Sequence, residues 1–538
     1  MSSSTTPKQS SLGGQGVAAA ALLVMAGFIG SRTLGLLRDM AISARFGTSG
    51  ELDAYVAAFR IPDLIFNVLA GGALSSALIP TLRAYLERDE REAGWAMVRA
   101  VAVALLGGML VCTALVWLAA PALVPALAPG WHVDRLRLTT DLVRLMLVTP
   151  LLFGASGIAT AVLQAHQRFT TPAIAPTLYN AGIIAGALFL AGPGGMGVFG
   201  LATGVVIGAL LHLGVQMPEL ALLGRLRGSI DLHHPGLRRV VLLMAPRLFG
   251  LAVVHLNFFV LTVLASFLPE GSLAALNFAW LLMMLPLGVF GMAISTAALP
   301  TLSGLAARGE LEALGTAITQ GLRAILFLSV PSAFGLIVLR EPLIRTLFER
   351  GRFSSTSTDL VATALIFYCA GLAAHAALEL ITRGFYALQD TRTPALVGAG
   401  ALLVNIPLSV ALMQPLRHGG LALGISLATT IEALSLYLLL HRRVQALNGQ
   451  ATVWALLQGA AASLVMAGVL LLILPLLTPF FTGPFIVRAA MLGVLLGVGA
   501  GSYALTLWVL GVPEVRILPH VVAARVRPWL LRLRPSMH

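Results

Sequence analysis

Long, unbroken apolar runs dominate this chain, separated by short stretches that hold most of its arginines, glycines and prolines. A helical crossing of a bilayer takes roughly 20 apolar residues. On that measure the pattern predicts about fourteen helices, near 17–46, 52–84, 95–120, 139–166, 172–191, 197–223, 238–268, 272–303, 313–340, 358–386, 394–413, 420–441, 453–478 and 485–511. Pro129-Gly130 and Gly192-Pro193-Gly194-Gly195 mark breaks between runs. The apolar residues run on instead of alternating, which argues against an outer-membrane barrel. The fold class expected is an all-α polytopic membrane protein of about fourteen transmembrane helices.

The runs repeat. Ala73-Leu-Ser-Ser-Ala-Leu-Ile-Pro80-Thr-Leu82 returns as Ala293-Ile-Ser-Thr-Ala-Ala-Leu-Pro300-Thr-Leu302, 220 residues on, and Gly200-Leu-Ala-Thr-Gly204 returns as Gly420-Leu-Ala-Leu-Gly424 at the same offset. Thr171-Pro-Ala173 recurs at Thr393 after 222 residues, and Thr140-Asp-Leu-Val143 at Thr358 after 218. Four matches in order at nearly one offset predict a duplicated six-helix unit. Six is even, so both copies point the same way and are related by an axis along the membrane normal, with a substrate path between them. The expected organisation is a tail over 1–15, an N-lobe over 16–225 (helices 1–6), a C-lobe over 226–445 (helices 7–12), two further helices over 446–511 and a basic tail over 512–538. This is a carrier architecture with two pseudo-symmetric lobes that open alternately.

Composition agrees and narrows the class. Of 538 residues 58% are hydrophobic and 11% charged, and the mean hydropathy is +0.91. A soluble chain carries about a quarter charged residues, so neither a cytosolic enzyme nor a disordered protein fits. The net charge is +13, with Lys8 the only lysine. These basic residues are scattered between apolar runs, which points to cytoplasmic loops and not to nucleic acid. With both termini inside, roughly nineteen loop cations fall on the cytoplasmic side and about nine outside. The Ser/Thr/Gly-rich tail 1–15 is expected to be disordered and cytoplasmic. The first apolar run is longer than a signal-peptide core and continues into Arg32, Arg38 and Asp39, so it is expected to be retained. The C-terminal tail, with Arg516, Arg525, Arg527, Arg532 and Arg534, is expected to lie against anionic headgroups. One predicted outer loop, 340–358, breaks the charge trend with Arg340, Arg345, Arg350 and Arg352. It either acts at the outer surface or pairs with Glu341 and Glu349. Cys112 and Cys369 lie in apolar stretches and read as buried hydrophobes.

A charge at the bilayer centre costs at least about 2.5–3.5 kcal/mol, so charges inside the runs mark function. The first two helices hold Arg32, Arg38, Asp39, Asp53 and Arg60. Arg32 and Asp39 are seven residues apart, as are Asp53 and Arg60, which places each pair on one helix face. Three arginines against two aspartates leave a net positive site. Guanidinium forks match phosphate oxygens, and carboxylates hold the forks in place, so a diphosphate is the natural ligand. The competing reading is that these side chains snorkel to the interface. Enzyme signatures are weak: His233-His234 stand without a partner at metal spacing, and no GxSxG, HExxH or P-loop pattern occurs. No catalytic residue, metal site or cofactor is expected.

Ser31-Arg-Thr-Leu-Gly-Leu-Leu-Arg38-Asp39, Phe46-Gly47, Asp53-Ala54, Phe59-Arg-Ile-Pro62 and Gly72-Ala-Leu-Ser-Ser-Ala-Leu-Ile-Pro80 resemble the MurJ (MviN-type) lipid II flippases. So do Leu285-Pro-Leu-Gly-Val-Phe-Gly291, Leu347-Phe-Glu-Arg-Gly-Arg-Phe353 and Gly384-Phe-Tyr-Ala-Leu-Gln-Asp390-Thr-Arg-Thr-Pro394, in family order over about 16–445. The resemblance implies the fold of the multidrug/oligosaccharidyl-lipid/polysaccharide exporter superfamily. It also implies movement of lipid II, the undecaprenyl-diphosphate-linked peptidoglycan precursor, from the inner to the outer leaflet of the bacterial plasma membrane. The partners implied are lipid II, membrane lipids and the cell-wall synthesis machinery. The two extra helices resemble the family's lipid-tail groove. Arg32, Arg38, Asp39 and Asp53 match charged cavity positions of the family, and Arg60 sits where the family often has a basic residue. Phe66 stands where the family commonly has arginine, Gly71 where it has an acid, and Ala279-Trp280-Leu281 replaces an Ala-Asp-Arg run. Arg247, about nine residues into its helix, either supplies the C-lobe positive charge missing at Leu281 or snorkels back to the cytoplasmic headgroups. The alternatives are a flippase for another polyprenyl-diphosphate oligosaccharide, a drug exporter of the same fold, a membrane glycosyltransferase, or a scaffold of cell-wall synthesis. The arginines disfavour a drug exporter, which would favour an acidic cavity. The sodium site that the resemblance implies in helices 7 and 11 would lack its carboxylate, since neither helix holds Asp or Glu, and Glu379 and Glu432 in helices 10 and 12 remain candidates.

Overall fold

The computed structural model describes residues 12–69, 72–192, 194–224, 228–444 and 446–514, with side chains except those of 12–26, 28–29, 69, 72–73 and 245–254. Both tails fall wholly or largely outside the described residues, as do Gly71, Arg225, Arg227 and the side chain of Arg247. Among the described residues the secondary structure is helical throughout. Among the described residues ten helical segments are long and apolar enough to cross a membrane, or eleven with one bent pair counted as a span. The chain divides into two compact units, 1–270 with 351–353, and 271–350 with 354–538.

The first unit holds α1 (Leu12–Phe46), α2 (Gly50–Leu69), α3 (Gly72–Glu87), α4 (Arg91–Leu127), α5 (Val133–Met146), α6 (Val148–Ala165), α7 (Thr170–Ala185), α8 (Val198–Gly214), α9 (Met217–Leu223) and α10 (Pro235–Ala265). The runs predicted over 52–84 and 139–166 are each two helices: α2 and α3, and α5 and α6. Helix α7 packs on α1 and α8, α2 on α5, and α3 on α6, while α10 lies on α2, α3 and α4. This last packing carries the first unit past the repeat boundary at 225 to residue 270. Two backbone approaches need glycine. A Cβ on Gly182 would strike the Gly208 backbone, and one on Gly186 would sit 2.5 Å from Gly204 Cα. Small residues at such crossings let helices pack closely in lipid. Gly47, with φ +58°, turns the chain from α1 into α2, where a Cβ would meet Arg352 O at 2.5 Å.

The second unit holds α11 (Ser272–Pro286), α12 (Ala293–Ala307), α13 (Leu311–Val338), α14 (Arg340–Leu347), α15 (Ser355–Ala370), α16 (Leu372–Ala387), α17 (Arg392–Leu416), α18 (His418–Arg443), α19 (Gly449–Leu477) and α20 (Phe485–Val509). A π-helical stretch, Leu287–Met292, joins α11 to α12. Helices α15 and α16 meet at a 47° bend, where Gly371 lies against Ser426. Helices α19 and α20 pack on α13 around Phe327, Met466, Leu470 and Leu495. The Tyr503 hydroxyl donates to Phe327 O at 2.7 Å.

The predicted loop 340–358 is corrected: it contains α14. Its charges are spaced for a helix, with Arg345 lying 3.8 Å from Glu341 and 3.7 Å from Glu349, both at i,i+4. Pro342, Ile344 and Thr346 are buried. The expected pairing is present for Arg345 and for Arg340, which lies 3.9 Å from Glu341, while Arg350 donates to Thr346 O and Leu347 O and Arg352 lies 3.6 Å from Glu51. Arg488 of α20 also donates to Arg345 O at 2.9 Å.

Candidate functional site

The depth of each charged side chain follows from its distance along a helix. The α1–α2 turn, the α4–α5 turn and the end of α10 line one cavity of about 700 Å³ in the first unit, with Glu51, Trp131, Arg135 and Glu270 among its walls. These helix ends therefore lie together. At 1.5 Å per residue, Asp53 is ~5 Å from that end, Arg38 ~12 Å, His255 ~15 Å, Asp63 ~20 Å and Arg32 ~21 Å. Against a hydrocarbon core of about 30 Å, Arg38, His255 and Asp63 sit near mid-depth.

Arg38 of the predicted set is held on both sides of its guanidinium. Its Nε and Nη2 donate to the two carboxylate oxygens of Asp39 at 3.0 and 3.1 Å, and Nη1 donates to Asn180 Oδ1 at 3.1 Å. Asn180 on α7 is held by its own donations to Ser31 O at 3.3 Å and Pro176 O at 3.0 Å. Asp39 is thus spent on its chain neighbour Arg38. The guanidinium is fixed by three bonds while its side chain stays 28% exposed. A charged group at this depth faces the bundle interior or a wet cleft. The reading that it snorkels to the interface does not fit a guanidinium held sideways by two helices.

Arg60 lies in a second knot. Its guanidinium covers the Phe258 ring at 4.7 Å, and its charge acts on Asp63 one turn along. Asp63 accepts from Asn67 Nδ2 at 2.9 Å and faces His255 Nδ1 of α10 at 3.6 Å. The structure thus brings Arg38 and Asp39 together and adds groups that sequence reasoning missed: Asn180 on Arg38, Phe258 under Arg60, and Asp63 with its partners Asn67 and His255. Asp63 lies in the run from which Asp53 and Arg60 were singled out but was itself passed over, and it is separated from His255 by 192 positions that no local spacing relates. Asp53 stands apart, buried at the start of α2 near the cavity end. Arg32 lies deeper, with an exposed side chain. Arg247 is on α10, its side chain outside the described residues. Phe66 packs against Phe153 with ring centroids 5.3 Å apart. That aromatic contact occupies the place expected for an arginine.

In the second unit Leu281 lies in α11 without a charge of its own. Arg383 of α16 was also passed over: its Nη1 is 2.5 Å from Glu379 Oε2, and Nη2 donates to Thr296 Oγ1 at 3.3 Å. Glu379 is thereby engaged by an arginine. Glu432 lies on α18 against α17, where a Cβ on Gly398 would come within 3.1 Å of its Oε1. Among the described residues no cluster of three His, Cys, Asp or Glu side chains has metal-binding geometry.

A family model described as lipid II flippase MurJ matches residues 42–491. The chain belongs to the lipid II flippase MurJ family. The lipid II flippase MurJ of Burkholderia cenocepacia is 33% identical over 461 residues, covering 84% of this chain and 89% of that protein. The probable lipid II flippase MurJ of Vibrio cholerae is 30% identical over 502 residues, covering 91% and 95%. A solved structure of a lipid II flippase MurJ in an inward closed conformation superposes with a TM-score of 0.75 at 25% identity, over 91% of this chain and 98% of that one. An inward-facing multidrug transporter of the MATE family superposes at 0.65 and 15% identity, over 77% and 95%, a likeness of fold alone. The family and its structural neighbours are transporters and not enzymes. That sets the glycosyltransferase alternative aside. The many apolar helices and the family together make this a multi-pass protein of the bacterial inner membrane.

Proposed function

We propose that this chain moves lipid II from the inner to the outer leaflet by alternating access. The observation that carries the reading is the family match over 42–491, within which an arginine is held near mid-depth by Asp39 and Asn180. The ligand face is Arg32, Arg38, Asp39, Asp53 and Arg60, with Arg247 as the further cation. Its net positive charge suits a diphosphate, and a guanidinium suits paired phosphate oxygens. The finer organisation proposed is fourteen crossings, both termini cytoplasmic, lobes of six helices over 16–225 and 226–445, and two helices beyond them. The repeat supports the lobes, and the loop charge bias supports the orientation. Contact with cell-wall synthesis enzymes belongs to the same reading. The test is replacement of the resident flippase by this gene in a depletion strain. Growth and normal cell shape are expected. Lysis, with the protein present at normal level in the membrane, would contradict the substrate assignment.

A further inference from the structure

Asp63 and His255 are the feature of the first unit that an ion-pair network around a phosphate site does not by itself require. The two side chains meet near mid-depth, His255 Nδ1 lying 3.6 Å from Asp63 Oδ2, with side chains 15% and 35% exposed. Asn67 donates to the other carboxylate oxygen, Oδ1, at 2.9 Å, so Oδ2 is left aimed at the imidazole. Arg60, Asp63 and Asn67 fall at i, i+3 and i+7 on α2, and His255 and Phe258 at i and i+3 on α10. Two helix faces are thus matched residue for residue, with Arg60 stacked on Phe258 and Asp63 against His255. Imidazole is the side chain whose ordinary titration falls between about pH 5 and pH 8.

The surrounding charges make its proton count. Arg38 is paired with Asp39 and the charge of Arg60 acts on Asp63 one turn away, and a proton on His255 adds one full unit to the positive charge of this face. Tyr179 of α7 is close enough to sense both Asp63 and Arg38, and Tyr55 of α2 senses Arg38 and Asp39; they link the two knots. The other groups on the packed helices are turned away or lie at the ends. His212 of α8 is engaged by Ser156 at 2.6 Å. Arg99 of α4 is bound by Glu92 at 3.0 Å, and the remaining titratable group inside the α4 span is Cys112. On α5, Arg137 and Asp141 are exposed, Asp134 and Arg135 line the end cavity, and Arg144 stacks on Trp117. Arg83, Tyr85 and Glu87 close the far end of α3, and α6 carries no titratable side chain.

We propose that Asp63 and His255 form a proton-binding site that fills as the diphosphate group of the lipid substrate settles on the Arg38–Arg60 face, and empties as it leaves. This rests on the diphosphate reading given above. An anion arriving near an imidazole raises the proton affinity of that imidazole. By linkage the bound proton raises affinity for the anion by the same factor. A fixed structural pair would show neither effect.

The test uses the full chain in nanodiscs and a fluorescent geranyl diphosphate as probe. Calorimetry in two buffers of different ionisation enthalpy reads the protons taken up on binding. The wild type is expected to take up a sizeable fraction of one proton near neutral pH, and to bind the probe at least about fivefold more tightly at pH 6 than at pH 8. His255→Gln and Asp63→Asn are expected to flatten the pH profile and remove the uptake. Binding by the wild type without proton uptake, or uptake unchanged in a folded His255→Gln protein, overturns the proton site and leaves the diphosphate reading standing. No binding by the wild type at any pH overturns the diphosphate reading, and the proton site with it.

Discussion

The guanidinium of Arg38 makes three hydrogen bonds to two side chains, and a lysine can reproduce one of them. Charged hydrogen bonds contribute about 1.5–3 kcal/mol each, so Arg38→Lys is expected to lower transport roughly tenfold or more, and Arg38→Ala to abolish it. Membrane level should stay normal in both, as read by complementation alongside immunoblotting. A fully active Arg38→Lys would show that the planar fork is dispensable. Asp390, in the turn before α17, gives a prediction with a pH sign. Burial alone would raise its carboxyl, but hydrogen bonds from the Thr393 side chain and backbone and from Arg443 outweigh that and hold it at about 2. The depressed value means that these bonds stabilise the fold above the ordinary aspartate range and fail as pH falls toward 2. Asp390→Asn is therefore expected to lower the melting temperature at pH 7, and the gap from the wild type should close on acidification. Arg32, Arg38, Asp39, Asp53 and Arg60 were legible because each stands in an apolar run, although Asp63 in the same run as Asp53 and Arg60 was passed over. Their partners were not: Asn180 is neutral, and His255 is brought to Asp63 by a helix–helix contact.

Among elements, the long helices were legible because an apolar run of span length in lipid has little choice but to satisfy its backbone internally. Their interruptions were not. The π-helical stretches Gly186–Leu190 and Leu287–Met292 keep the apolar pattern while changing the winding. Helix α14 was hidden because eight residues rich in charge read as loop until Glu341, Arg345 and Glu349 are seen to pair. The α7–α8 crossing leaves no room for a side chain at its glycines. A Cβ on Gly204 would lie 2.7 Å from Gly186 Cα, and overpacking of this kind costs typically about 1–3 kcal/mol. Gly204→Val is expected to lower the melting temperature in detergent, while Gly107→Val, where a Cβ meets nothing within 4 Å, should leave it unchanged. Equal melting of the two would remove the packing account of this crossing.

For the whole molecule, the duplication was legible as recurring motifs, and it is the basis for the proposed lobes. It does not foretell that α10 packs on α2, α3 and α4, because that choice is made by side-chain fit and not by hydrophobic period. The proposed orientation makes a direct prediction in a chain from which Cys112 and Cys369 have been replaced. Cysteines at Arg91 and Arg308 are expected to resist a membrane-impermeant maleimide added outside spheroplasts and to react once the membrane is opened. Labelling of either in intact spheroplasts would invert the topology. The central claim, that this fold carries a diphosphate-linked lipid across the bilayer through the Arg38 face, is tested most directly by reconstitution. Purified protein in vesicles holding fluorescent lipid II would be assayed for transfer of the headgroup between leaflets, read by a quencher that does not cross the membrane. The wild type is expected to equilibrate the lipid, with Arg38→Ala vesicles remaining at the protein-free rate. Equal transfer by the wild type and Arg38→Ala, or none by either, would contradict the account.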